Sequence, residues 1–208
     1  MKFILCVEGH TEHHALSEFL RRWLNARLSK NVGVRTDNFR SGAKLLAGIQ
    51  QRVRYHLSAT NAGDIIAVIA LIDLYGQRYP SRCRTVNEKC AWLTNEVTKG
   101  IKQRKFRMFC AVHETEAWLL TQPECFPKPI REALRPLSRS PETVDFDSPP
   151  SKLLSRLYRQ KLNRPYVKPF HGAALFQKLD PDVAYSKCPW LRRMLDEMLR
   201  LAREAIGE

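Results

Sequence analysis

Residues 2–8 open the chain with an apolar run, Phe3-Ile4-Leu5-Cys6-Val7, that stops at Glu8. A run without polar alternation predicts a strand buried on both faces. Gly9 then turns the chain, and Thr11 is the expected N-cap of a helix whose apolar positions Leu16, Phe19, Leu20, Trp23, Leu24 and Leu28 keep helical spacing. A polar edge strand is expected near 32–39, and a basic helix over 42–57 that buries Leu45, Leu46, Ile49 and Val53. The stretch from Asp64 to Asp73 (Ile, Ile, Ala, Val, Ile, Ala, Leu, Ile between them) is too short and too β-branched for a helix and predicts the best strand of the chain. A loop at 76–82, a helix at 85–101, a strand at 106–112 and a helix from about Glu114 follow. Strands and helices alternating through residue 122 predict βαβ units and a parallel sheet.

The pattern then changes. Residues 123–150 hold seven of the twelve prolines, which predicts a wrapping linker with one short helix near 130–137. Helices are expected near 151–162, 171–179 and 188–205. The organisation is therefore an α/β core over 1–122 and, over 123–208, a Pro-rich linker and a helical C-terminal extension packing on the core.

Charge adds a partner to this picture. Lys plus Arg number 35 against 21 acidic residues, a net charge of +14. Such a field draws in polyanions, and nucleic acid is the expected partner. No apolar stretch approaches a membrane span. Six cysteines lack metal-ligand spacing and the N-terminal run is no signal sequence, so reduced thiols and a cytoplasmic location are expected. The sequence leaves a homodimer open.

The candidate chemistry sits where three apolar strands end in carboxylates: Glu8 with Glu12 four residues on, Asp73, and Glu114 with Glu116. In an open parallel sheet, ligands bind outside the carboxyl ends of the strands. Converging carboxylates repel unless a cation lies among them, and an all-oxygen set suits Mg²⁺ or Mn²⁺. Either ion would polarise a phosphoryl oxygen and lower the pKa of an attacking water. Each carboxylate alone could instead cap or favour the helix that follows. Glu114 and Glu116, two apart, would face different ways on a helix, and Glu114 is the preferred ligand. Lys152, following Pro149-Pro150, could meet a scissile phosphate at a helix start, with Lys168 and His171 as further contacts. Arg52, Arg54, Arg78, Arg82, Arg84, Lys102, Arg104, Lys105 and Arg107, interleaved with Tyr55, Tyr79 and Phe106, suit phosphate contact with base stacking. A solvated surface explains the same residues equally well. His10 and His14 are spaced as zinc ligands on a helix would be, but the H-E-x-x-H order is absent.

Val7-Glu8-Gly9-His10-Thr11-Glu12, together with an aspartate ending a later apolar strand, resembles the TOPRIM (topoisomerase–primase) domain. A closer resemblance is to short bacterial TOPRIM-like proteins related to OLD-type nucleases. It rests on Glu8-Gly9-His10-Thr11-Glu12, Asp73-Leu74-Tyr75-Gly76, His113-Glu114-Thr115-Glu116-Ala117-Trp118-Leu119, Pro150-Ser151-Lys152, Tyr166-Val167-Lys168 and Cys188-Pro189-Trp190. The resemblance implies a Rossmann-like, mainly parallel sheet flanked by helices. It also implies Mg²⁺- or Mn²⁺-dependent cleavage of DNA or RNA, in bacterial defence or mobile-element biology, often beside an ATPase of AAA or ABC type. Glu8 would serve in acid–base chemistry or as a ligand, and Asp73 as a ligand. Tyr75 stands where the TOPRIM pair has its second aspartate, so Glu114 or Glu116 would have to supply the missing oxygen. The alternative is a non-catalytic subunit with a degenerate site that binds nucleic acid or the ATPase.

Overall fold

The computed structural model describes residues 1–58, 60, 62–143 and 149–208, and for residues 10–14 the backbone alone. Four parallel strands form one sheet in the order β2-β1-β3-β4: β1 (Lys2–Val7), β2 (Gly33–Asn38), β3 (Ile65–Asp73) and β4 (Phe106–Ala111). The two strands with no polar alternation, β1 and β3, are the central ones, and the polar β2 lies at an edge.

Each central strand divides its side chains between two cores. Phe3, Leu5, Val7, Ala67, Ile69 and Leu71 pack beneath α1 (His10–Asn25) and the C-terminal helices. Ile4, Cys6, Val68, Ala70 and Ile72 pack beneath α2 (Gly42–His56) and α3 (Val86–Thr98). Both α2 and α3 start on side-chain caps: Ser41 accepts from the Lys44 N–H, and Thr85 forms a reciprocal capping box with Glu88.

The first helix begins two residues earlier than expected. Gly9, in extended conformation, is its N-cap, so Thr11 lies inside the helix. After β4, His113 takes a left-handed φ of 63° and the chain makes only the four-residue α4 (Glu116–Leu119), not a long helix. The proline-rich stretch folds as a 3₁₀ turn at Pro123–Cys125, α5 (Lys128–Leu134), and 3₁₀ turns at Arg135–Leu137 and Pro141–Thr143. Then come α6 (Pro150–Leu162), a π turn at Lys168–Gly172, α7 (Ala173–Lys178), α8 (Pro181–Lys187) and α9 (Pro189–Ile206). The sequence places no helix between 179 and 188, where the structure has α8. In the fold, Pro181 occupies the first turn, where its missing N–H costs nothing, and the Asp180 carboxylate caps the Asp182 N–H at 2.9 Å. Phe19 of α1 stacks on Trp118 at 6.2 Å and meets Phe176 edge-on at 5.7 Å, so the C-terminal half and the first helix share one core. Among the described residues, no helix is long and apolar enough to cross a membrane.

A buried glutamate anchors the last helix. Cys188, the N-cap of α9, offers no side-chain cap. Glu142, 5% exposed, takes that role from 48 residues away, accepting the Trp190 N–H at 2.8 Å and the Leu191 N–H at 3.4 Å. Burial raises its pKa from 4.5 to about 7, against the pull of those N–H donors and of Arg193. The folded state thus favours the protonated acid. The resulting stabilisation is complete below about pH 4.5 and is lost as pH rises through about 7, a swing of roughly 3 kcal/mol. Glu142→Gln, which keeps a neutral acceptor, should remove this dependence. Urea unfolding of both proteins at pH 5 and pH 8 is expected to show the variant gaining on the wild type at the higher pH. A constant difference between them would show that Glu142 does not titrate in this window.

Candidate functional site

The carboxyl edge of the sheet is organised by parallel register. β1 and β3 run side by side, with Cys6 opposite Ala70. Glu8 and Asp73, each at or just past its strand's end, therefore become neighbours. The Asp73 N–H donates to Glu8 Oε1 at 3.1 Å, and the Gln77 amide donates to the same oxygen at 3.1 Å. Gly42, in the first turn of α2, closes over the pair: a methyl group there would lie 2.7 Å from Glu8 Oε2 and 2.4 Å from Gln77 Nε2. Only a glycine lets the helix start so close to the carboxylate.

The Asp73-Leu74-Tyr75-Gly76 segment continues beside the end of β4. Leu74 N–H donates to the Ala111 carbonyl at 3.0 Å, and Tyr75 N–H to the His113 carbonyl at 2.8 Å. Gly76, at a φ of 84°, then swings the chain away and delivers Gln77 to Glu8. The left-handed turn at His113 brings the Thr115 N–H to within 3.2 Å of Asp73 Oδ1. Glu8 and Asp73 thus both accept main-chain N–H groups, which fix their carboxylates in place.

Glu114 and Glu116 are used differently. Glu114 is buried, and its Oε2 accepts the Ser151 N–H at 2.9 Å in the first turn of α6. The N-terminal N–H there, expected to serve a bound phosphate, is taken by the protein's own carboxylate. Glu116 is fully buried, with Lys168 Nζ 3.0 Å from its Oε1. Among the described residues, no three His, Cys, Asp or Glu side chains are grouped to hold one ion. Glu114 and Glu116 each meet a partner on the C-terminal segment, the Ser151 N–H and the Lys168 ammonium. The side chain of Glu12 lies outside the described residues, as do those of His10, His13 and His14.

The expected cations divide into three groups. Lys152 stands beside the site, its Nζ 5.9 Å from the ring centre of Tyr75, which is itself 47% exposed. Arg78, Arg82 and Arg84 are exposed on the loop after β3. That loop is pinned by Tyr79, whose hydroxyl donates to the Leu74 carbonyl at 2.8 Å and whose ring meets Trp92 edge-on. Lys168 belongs to the pair with Glu116, and His171 Nδ1 accepts the Val167 N–H at 2.8 Å while its ring stacks on Tyr166. Reasoning from sequence missed Gln77, Gly42 and the Ser151 N–H. Gln77 directly follows the D-x-Y-G segment and was within reach of that motif, whereas the other two depend on contacts across 34 and 37 residues.

A four-stranded parallel sheet with helices on both faces and this strand-end arrangement is a TOPRIM-like fold. Among solved structures, the C-terminal region of the Burkholderia pseudomallei OLD protein is similar over 96% of this chain and 97% of that one, with 15% identity and a TM-score of 0.53. The C-terminal region of the Xanthomonas campestris pv. campestris OLD protein aligns over 98% of this chain and 97% of that one, with 16% identity and a TM-score of 0.42. No curated protein matches the sequence. The model of a family described as a domain of unknown function, DUF4276, matches residues 7–199, and the chain belongs to that family.

Proposed function

We propose that this protein is a Mg²⁺- or Mn²⁺-dependent nuclease of TOPRIM type, cutting phosphodiesters of DNA or RNA in bacterial defence or mobile-element biology beside an ATPase partner. The observation that carries this reading is the Glu8–Asp73 pair, joined at adjacent strand ends of a chain with a net charge of +14. The donor set fits a hard divalent ion: two carboxylates, oriented by backbone and amide hydrogens, that offer only oxygen. Glu8 and Asp73 would hold the ion, with Glu12 as the further ligand to test. When bound, the ion would supply Lewis-acid polarisation of the phosphoryl group and a more acidic water.

The chain's own residues then have distinct tasks. Glu8, held by the Asp73 N–H and Gln77, would accept the proton of the attacking water. Lys152 would bind a non-bridging phosphate oxygen beside Tyr75. Glu114 and Glu116 would act as positioning residues, the first fixing the start of α6 and with it Lys152, the second fixing Lys168. Arg78, Arg82 and Arg84 would contact the flanking phosphates.

One set of observations favours a different reading, a non-catalytic subunit that binds nucleic acid or the ATPase. Tyr75 occupies the second aspartate position, and Glu114 and Glu116 are engaged elsewhere. Salt-sensitive binding without cleavage, unchanged by Glu8→Gln, would support it.

Two experiments test the nuclease. Supercoiled plasmid, single-stranded DNA and RNA are incubated with the protein and Mg²⁺ or Mn²⁺. Cleavage is expected from the wild type, stopped by chelation and reduced about 100-fold or more by Glu8→Gln or Asp73→Asn; equal behaviour of all three proteins on every substrate removes catalysis from this site. Gly42→Ala probes the close approach of α2. Alanine there would crowd the Gln77 amide and the Glu8 carboxylate, which the Asp73 N–H holds. The variant should therefore remain folded, with an unfolding temperature at or below that of the wild type, and lose at least about 10-fold in cleavage rate. Full activity would show that the position of Glu8 is not critical.

A further inference from the structure

A second feature lies beside the carboxylates, along the outer face of α2. The stretch between Asp37 and Asp64 has no acidic residue, yet it carries Arg40, Lys44, Arg52 and Arg54. Arg40, Lys44, Gln51, Arg52 and Tyr55 line an open groove of about 680 Å³, floored by Phe39 and Gly48. Gly48 is small for a reason of packing: a methyl group there would sit 3.1 Å from the Phe39 ring. The groove starts at the end of β2, next to the Gly42–Glu8 approach, and follows one helix face from Lys44 to Tyr55. The eleven residue steps from Lys44 to Tyr55 span about 16 Å.

Three properties of this groove point to a ligand. Among the described residues, Arg40 and Lys44 have no carboxylate partner, whereas Arg52 is held at 3.2 Å by Asp37. Arg40 adopts a left-handed φ of 67°, kept there by the Asn38 side chain, which accepts its N–H at 2.7 Å. A non-glycine residue in that region costs energy and is typically retained where its side chain must be aimed. Tyr55, whose ring meets His56 edge-on at 5.2 Å, ends the groove with 60% of its surface exposed, at the far end of a cationic track.

We infer that this groove holds a single strand of nucleic acid, with phosphates on Arg40, Lys44 and Arg52, a base stacked on Tyr55, and the strand's other end directed to Glu8 and Asp73. The inference rests on the nuclease reading for its direction but on the groove itself for its ligand. The single strand is the fitting form because base faces are open to an aromatic ring only when they are unpaired. At the ~3.4 Å rise of stacked bases, about 16 Å accommodates four or five nucleotides. The basic face of α6, with Lys152, Arg156 and Arg159 around a smaller hollow, is the competing track; it presents cations without an aromatic ring among its lining residues.

The test measures binding without metal, in chelator, so that it is independent of cleavage. Fluorescent oligo(dT), oligo(U) and a DNA duplex of equal length are titrated with wild type, Tyr55→Ala, Tyr55→Trp, Lys44→Gln and Arg156→Gln. Tyr55→Ala is expected to weaken single-strand binding roughly five- to hundred-fold and leave the duplex unchanged, and Tyr55→Trp to restore it. Lys44→Gln should reduce the slope of log affinity against log salt by about 0.7. The dT and U arms tell DNA from RNA. Tyr55→Ala binding single strands within two-fold of wild type, or an equal loss on duplex, overturns the inference, as does a loss confined to Arg156→Gln. If the groove variants lose binding but no substrate is ever cut, the groove stands and the nuclease reading falls. If Glu8→Gln abolishes cleavage while Tyr55→Ala binds normally, the reverse holds.

Discussion

The parallel register of β1 against β3 is the constraint on which the site depends. Register in a sheet is usually enforced by alternation, since a one-residue slip moves every apolar side chain to the wrong face. That device is weak here, because both faces of β1 and β3 are apolar and a slipped strand would still bury oil against oil. The two strands are tied at their ends instead. At the N-terminal end, across a register shift between Lys2 and Phe3, the Lys2 N–H meets the Asp64 carbonyl at 2.8 Å and the Lys2 ammonium meets the Asp64 carboxylate at 2.8 Å. At the other end, Glu8 accepts the Asp73 N–H. The ion pair is exposed and screened by solvent, so it contributes little. The half-buried Glu8 contact is the stronger candidate for fixing the pairing, so the residue that reads as chemistry also serves the fold.

The turns leaving that edge share a second feature. β2, β3 and β4 are each followed within three residues by a left-handed one: Arg40 at 67°, Gly76 at 84° and His113 at 63°. Each reverses the chain directly at the sheet edge and keeps the following side chains close to Glu8 and Asp73. A glycine does this without strain at position 76. At positions 40 and 113 a side chain is retained at a cost of order 1 kcal/mol, and both positions border the carboxylates or the groove that leads to them.

The elements that build this edge were largely legible in the sequence, because continuous apolar runs and helical periodicity report burial directly. The carboxylates Glu8 and Asp73 were legible for the same reason: each interrupts an apolar run at a strand end. What escaped was long-range and borne by backbone. Gly42 looks like any helix-start glycine until the helix is placed over Glu8. Ser151 contributes an N–H, which no residue identity encodes. The Glu142 cap of α9 pairs a 3₁₀ turn with a helix 48 residues away. The partners of Glu114 and Glu116, the Ser151 N–H and the Lys168 ammonium, come from the C-terminal segment, whose packing no local pattern predicts.

The distribution of charge bears on how the carboxylates of this edge are accommodated. Two acid-free segments, between Asp37 and Asp64 and between Asp147 and Asp180, carry four and seven lysines and arginines. Each presents a helix start to one carboxylate: Gly42 of α2 lies against Glu8, and Ser151 of α6 donates to Glu114. The positive ends of these two helices and their cationic faces lower the potential energy of carboxylates that would otherwise repel one another. The same arrangement places positive surface on the flanks of the carboxylate edge and negative charge at its centre. On the proposed nuclease reading, a polyanion drawn to the flanks would meet repulsion at the centre unless a cation screened it there, so binding of the strand and of the proposed ion would reinforce each other.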